Sequence, residues 1–329
     1  MERPTWRPGA DLATLRLRAG LLTRVRAFFA ARGVLEVETP MLSVAAVTEP
    51  NLASFGTVYS GPGSRHGRTL YLHTSPEFPM KRLLAAGSGC IYQIARVFRD
   101  GEAGRRHNPE FTLLEWYRVG FDHHRLMDEV TELVTALLAG RLPLAQPERL
   151  SYRELFQRHL DLNPHRASVA ELAARAETQG VSIPPGMPTD RTDPWLDLLL
   201  THYIEPRLGA GRLTFVYDYP ASQAALARLG PGDPPVGERF ELYVNGVELA
   251  NGFHELGNAA EQRRRFEAEN ATRRGLGWPL MPVDENLLAA LAAGLPDCAG
   301  VALGFDRLVM LAAGKTTLAE VLAFPFERA

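Results

Sequence analysis

The stretch ERFELYVNGVELANGF, residues 238 to 253, constrains the fold more than any other part of the chain. Asn-Gly is the pair a two-residue hairpin turn demands, because both central positions take a left-handed backbone that Gly, and at small cost Asn, adopts. Asn245-Gly246 therefore predicts two antiparallel strands, with Tyr243 opposite Glu248. A second pair of strand-like arms, CIYQIARVF at 90 to 98 and FTLLEWYRV at 111 to 119, encloses a loop crowded with Arg, His, Asn and Gly. LTFVYDY at 213 to 219, GVALG at 300 to 304 and short strands at 34 to 37 and 70 to 73 complete the β content.

Helical spacing marks residues 11 to 32 through Leu15, Leu22, Val25 and Phe29, with Arg32-Gly33 as the stop. HTSPEF leads into a helix across MKRLLAAG that Gly87 ends, and further helical patterns cover 123 to 139, 151 to 205 in broken form, and FDRLVMLAAG. A Pro/Gly-rich turn is expected at 230 to 237. Hairpins with helices inserted between them predict an α+β fold, a mostly antiparallel sheet flanked by helices. The expected organisation is a single domain over 1–329 with a mainly helical insertion at about 120–212.

A formal net charge of -2 gives no global pull toward nucleic acid or membrane, so any anion site must be a local cluster. No apolar run approaches the ~18 residues of a membrane span. Cys90 and Cys298 belong to no CxxC pair, and reduced thiols in a cytoplasm are expected.

Strand alternation sends Phe111, Leu113, Glu115 and Tyr117 to one face. A carboxylate there is solvated, paired with an arginine, or lining a polar cavity. Arg99, Arg105, Arg106, His107 and Asn108 offer donors suited to phosphate oxygens, or make a solvated hairpin tip. The hairpin puts Glu241 and Glu248 on one face, roughly 7 to 8 Å apart at Cα, where two carboxylates can share Mg²⁺. Asn251, Phe253 and Glu255 fall on the opposite face from Glu248. They join it only if the strand bulges by one residue, for which Gly252 or its neighbour is the expected place. A strand ending at Gly304 and a helix starting near Phe305 set a helix N-terminus beside Arg307, an anion site or simply a core strand and helix with a surface Arg. Three look-alikes are set aside: AAGKTT at 312 to 317 lacks the first Gly and the preceding strand of a phosphate loop. HELGN at 254 to 258 lacks the second His of HExxH, and GPGSRHG at 61 to 67 misses the GxGxxG spacing.

The order of helix, strand and Pro40, then FRDGEAGRRHNPEFTLLEWY, then GVALGFDRL resembles motifs 1, 2 and 3 of class II aminoacyl-tRNA synthetases. TSPE at 74 to 77, RHNPEFT with LEWY, and ERFE with GVELANGFHEL are similar to the lysyl branch, and the resemblance runs from about residue 12 to the end. It implies that Arg99 holds the α-phosphate of ATP and the carboxylate being activated. His107 and Asn108 would serve the nucleotide, Phe111 would stack under adenine, and Asp100, Gly101, Glu102 and Leu242 would complete the ATP site. Arg307 would cover adenine and reach the γ-phosphate above Gly304, and Glu241 and Glu248 would hold Mg²⁺. Ser75, Pro76, Glu77, Glu115, Tyr117, Glu248, Asn251, Phe253, Glu255 and Ala302 would line the amino-acid pocket, whose carboxylates suit a substrate with two ammonium groups.

Departures narrow the resemblance. Lysyl-tRNA synthetases carry an anticodon-binding OB-fold before motif 1, which begins here about a dozen residues from the start. The Glu they place two after the motif 2 Arg is Gly101, with Glu102 adjacent. The Gly before their motif 3 Leu-Gly is Ala302, whose methyl group takes room beside the substrate α-carbon. This pattern is similar to the ligases that attach (R)-β-lysine to elongation factor P. The implied expectation is an ATP-dependent, AMP-forming homodimer with (R)-β-lysine, ATP and elongation factor P as partners, and with neither tRNA nor membrane. A truncated lysyl-tRNA synthetase and an inactive paralogue sensing amino acids are the alternatives. The basic helix at 263 to 274 is expected as a solvated face, or as a surface that helps dock an acceptor protein.

Overall fold

The structure is a computed structural model that describes residues 6–64 and 67–329. Arg65 and His66 of the 61–67 loop lie outside the described residues. Two compact units emerge, one running to Gly120 and resuming at Gly257, the other Phe121–Leu256.

The first unit begins with α1 (Leu12–Ala30), whose N-cap Asp11 accepts from the Thr14 amide at 2.7 Å. It buries Leu21, Val25 and Phe29, with Leu21 in the place expected for Leu22. Short strands β1 (Leu35–Glu36), β2 (Leu42–Ser43), β3 (Gly56–Tyr59) and β4 (Arg68–Leu72) precede α2 (Glu77–Ala85). Then come β5 (Ile91–Phe98) and β6 (Glu110–Val119), the predicted arms, paired without interruption from Ile91↔Tyr117 to Phe98↔Glu110. Phe29 stacks on Tyr92 at 4.4 Å and meets Trp116 edge-on, so α1 is fastened to this hairpin by aromatic burial.

The second unit opens with α3 (His123–Leu138), then β7 (Glu148–Ser151), α4 (Tyr152–Leu160), α5 (Val169–Thr178) and α6 (Asp193–Leu199). Capping boxes built from Ser151 with Glu154 and Ser168 with Glu171 start α4 and α5, each satisfying two amides that a helix start leaves open. The unit's core gathers Tyr152, Phe156, Trp195, Leu199 and Tyr219. β8 (Thr214–Pro220), β9 (Leu229–Gly230), β10 (Val236–Val244) and β11 (Val247–His254) follow, in the order β11-β10-β8-β7 with β9 against β10. The stretch expected as a turn at 230 to 237 is thus partly strand. Asn245 and Gly246 sit at φ 49° and 68°, the turn their identities predict.

The chain then returns to the first unit with α7 (Ala259–Gly275), α8 (Glu285–Gly294), β12 (Cys298–Gly304) and α9 (Phe305–Ala312). β12 lies antiparallel to β6, giving the order β1-β5-β6-β12. Within each unit the long strands pair antiparallel as expected, and among the described residues the short β1 and β7 run parallel to their neighbours. Their connections are too long and irregular to announce a pairing, and neither β7 nor the β2 and β3 strands carried a sequence signal. Asn258 explains HELGN: it is the N-cap of α7, its side chain accepting from Glu261 N at 2.9 Å.

The bulge occurs, but at a different residue. Tyr243 pairs with Glu248 as expected, whereas Leu242 pairs with Ala250, leaving Leu249 as the extra residue of β11. Gly252 was the wrong place because both Leu249 and Ala250 are 2% exposed. The bulge turns two successive apolar side chains into the core, which a glycine could not reward.

Candidate active site

In the first unit the β5–β6 loop folds back on itself through a bridge between Gly104 and His107. Arg99, just past β5, lies 5.0 Å from the Phe111 ring centroid and 3.5 Å from Glu102. Gly101 has φ 80°, so the departure from the family pattern is a turn that a Glu side chain would strain, and the acid appears one position later. The Asp100 amide donates to Ala53 O at 2.9 Å.

Arg307, 200 residues away, arrives from the first turn of α9. It donates to His107 Nε2 at 2.8 Å and to Arg106 O at 3.3 Å. Burial, and then the Arg307 charge, push the His107 imidazole below its usual pKa, which keeps the ring neutral as an acceptor. The charges of Arg307, Arg99 and Arg106 all act on the His107 ring, which makes the loop and the start of α9 one cationic cradle. Asn108 differs from expectation in kind: its Nδ2 donates to Glu110 O at 2.6 Å and its Oδ1 accepts from Phe326 N at 3.0 Å. Its amide shapes the loop and fastens the C-terminal segment. Asp306, unforeseen, accepts from Arg18 and from the Thr112 amide, tying α1, β6 and α9 beneath the cradle.

Register places Glu115, Tyr117 and Ala302, expected in the amino-acid pocket, on one face. Glu115 pairs with Gln93 on one side and Ala302 on the other, and Gly304 lies opposite Leu113. Glu115 is 2% exposed, and its two oxygens accept from Ser75 Oγ and Tyr117 OH, both at 2.7 Å. Burial, then the charge of Glu77, push its carboxyl up to about 7. Ser75 also accepts from the Glu77 amide at 3.0 Å, so TSPE forms a turn entering α2 at Pro76. Glu77 pairs with Lys81, a residue with 1% of its side chain exposed that the sequence did not flag. The i,i+4 spacing of Glu77 and Lys81 reads as a surface pair until burial is known.

In the second unit the Leu249 bulge sets Glu248, Asn251 and Phe253 opposite Tyr243, Glu241 and Arg239, all on one face. Glu241 accepts from Tyr219 OH at 2.7 Å, from Tyr243 OH at 2.5 Å and from Arg239. Arg239 also donates to Asn251 Oδ1 at 3.3 Å and lies over Tyr219. Arg239 and Tyr219 were not anticipated, since only the register shows that they converge on Glu241. Glu255 is 5% exposed and bridges Ala227 through its backbone. Leu242 is fully buried, its side chain on the face away from Glu241.

Neither Cys90 nor Cys298 forms a disulfide, and Cys298 packs in an apolar cluster with Tyr117. No described helix is long and apolar enough to cross a membrane.

Comparison with known proteins agrees with this geometry. The family model described as tRNA synthetases class II (D, K and N) matches residues 6–328. A Vibrio cholerae protein named elongation factor P--(R)-beta-lysine ligase is 54% identical over 329 residues, covering all of both chains. Proteins of the same name from Vibrio vulnificus and Salmonella paratyphi A are 53% and 52% identical, covering 98% and 100% of this chain and 98% and 99% of theirs.

Proposed function

The chain belongs to the class II tRNA synthetases of the D, K and N group, and on that footing we propose that it is an ATP-dependent elongation factor P (R)-β-lysine ligase. The observation that carries this reading beyond the family is the Ala302–Glu115 pair, a methyl group held beside the buried carboxylate of the amino-acid pocket. It narrows the space where the α-carbon of α-lysine would carry its amine and suits an amine moved one carbon along.

Activation needs no protein nucleophile. The substrate carboxylate attacks the α-phosphorus in line, the bond to the β-phosphate oxygen breaks, and pyrophosphate leaves. The acceptor lysine amine then attacks the acyl carbon, the bond to AMP breaks, and the amine gives up its proton. Arg99 positions the carboxylate and the α-phosphate, Arg307 and His107 hold the outer phosphates and adenine, and Phe111 stacks beneath the base. Glu77, Glu115 and Tyr117, with Glu255, Asn251 and Phe253, receive the two ammonium groups, while Ser75 and Pro76 shape the turn. Glu102 stands in for the acid missing at Gly101.

Glu241 and Glu248 fit Mg²⁺ by donor type and shared face. Glu241 already accepts three hydrogen bonds of the roughly four a carboxylate can take, leaving one lone pair for an ion. Mg²⁺, when bound, would offset phosphate charge. A homodimer is supported by the exposed apolar side chains Leu35, Met41, Leu42, Val58 and Tyr59 around β1 to β4. On this reading the protein works in the cytoplasm as a single catalytic domain with a mainly helical insertion.

The test is ATP–pyrophosphate exchange with (R)-β-lysine against α-lysine, followed by label transfer to elongation factor P or to tRNA. Preferred exchange with (R)-β-lysine and label on elongation factor P is the expected result. Equal activation of α-lysine with charging of tRNA overturns it, and no exchange with any amino acid points to a sensor.

A further inference from the structure

One cluster of metal-binding side chains plays no part in this reaction. One residue beyond the Arg239↔Phe253 pair, Glu238 and His254 turn to the other side of β10 and β11. His254 Nδ1 lies 2.8 Å from Glu238 Oε2. His123, the first residue of α3, packs against them with 5% exposure. Its Nδ1 is 4.0 Å from Glu238 Oε2 and its Nε2 is 3.6 Å from Asp218 Oδ1, and neither nitrogen makes a hydrogen bond. An imidazole buried with two polar atoms unmatched costs free energy that a ligand would recover.

We propose that His123, His254 and Glu238, with Asp218 within reach as a fourth ligand, form a zinc site. One ligand atom from each of the three lies within 4.8 Å of the others. A tetrahedral Zn²⁺ with bonds of about 2.0 to 2.2 Å needs its ligand atoms roughly 3.4 Å apart, so small side-chain shifts close the set. Two imidazoles with one or two carboxylates are zinc chemistry, whereas magnesium and calcium take oxygen. Arg228 Nε donates to Glu238 Oε2 at 2.6 Å, the outer hydrogen bond that orients a ligating carboxylate. The ion joins the start of α3 to the strands whose opposite face carries Glu241 and Glu248, so it acts as a clamp on those strands.

Metal-free full-length protein is titrated with Zn²⁺ against a chromophoric chelator, and separately with Co²⁺. The expected result is one Zn²⁺ per chain, bound more tightly than about 1 μM, with the intense visible bands of four-coordinate Co²⁺. His123→Gln should weaken Zn²⁺ at least about 30-fold with its far-ultraviolet circular dichroism unchanged. Should that variant fail to fold, the Co²⁺ spectrum of the unaltered chain decides between four-coordinate bands and the weak bands of a hydrated ion. Absence of stoichiometric binding, six-coordinate bands, or equal affinity in His123→Gln overturns the proposal and leaves His254, Glu238 and Arg228 as a metal-free polar cluster.

Discussion

The two hairpins present carboxylates by opposite means. In β5–β6 the ladder is regular, every second residue of β6 shares one face, and the strands open into a long polar loop. In β10–β11 the turn is minimal and the ladder is broken, so that the Leu249 bulge brings Glu248 into phase with Asn251 and Phe253. Their carboxylates differ as well. Glu115 is held by two neutral hydroxyls, while Glu241 has a guanidinium beside it as well as two tyrosines. Glu115 has no guanidinium beside it, and the Lys81 charge only partly offsets its burial, so an incoming ammonium can supply the balance. An acid already paired contributes fixed geometry. On the proposed function the first hairpin would recognise and the second would hold.

The sharpest way to break this contrast is to remove the cation at the loop's base. Arg99→Ala should lower the rate of ATP–pyrophosphate exchange about 10³-fold, since the arginine meets charge that grows in the transition state. Retained exchange would return the loop to a solvated hairpin tip. Glu115→Gln keeps the shape and removes the charge, and should raise KM for the amino acid on the order of 100-fold with the KM for ATP little changed. Were the KM for ATP to move as much, Glu115 would not be the amino-acid recogniser. Ala302→Gly restores the missing room, and the preference for (R)-β-lysine over α-lysine, measured as a ratio of kcat/KM, should fall about 30-fold. An unchanged ratio would place discrimination elsewhere in the pocket.

How much of this was legible in the sequence depends on the kind of signal. Alternation put Glu115 and Tyr117 on one face, and Asn245-Gly246 set the second hairpin's turn, because both are local properties of the backbone. The need for a bulge was also legible, since Asn251 and Glu248 could not otherwise share a face. Its position was not, because the choice of Leu249 rests on which side chains the core accepts. Lys81, Arg239 and Asp306 escaped for a related reason. Each looks like a surface charge in its own segment; burial gives Lys81 its role, and partners on other elements give Arg239 and Asp306 theirs. Asn108, expected at the nucleotide, shows that a site residue's amide can also fasten the fold.

The smallest expected effect is a pH dependence that separates the two carboxylates. With its carboxyl raised to about 7, Glu115 is mostly protonated at pH 6 and mostly ionised at pH 8. Only the ionised form attracts an ammonium, so KM for the amino acid should fall about tenfold between pH 6 and pH 8. For stability the sign is opposite. The fold favours the protonated form, so the contribution of Glu115 is fully present below the ordinary carboxyl value of 4.5 and is lost as pH rises through about 7. Bound amino acid restores the missing charge, and its protection against thermal unfolding should accordingly be larger at pH 8 than at pH 6. In Glu115→Gln both trends should flatten, while in Glu241→Gln, whose partner Arg239 does not titrate in this range, the KM trend should persist. A KM trend that survived in Glu115→Gln would assign the titration to another group and remove the distinction between the hairpins.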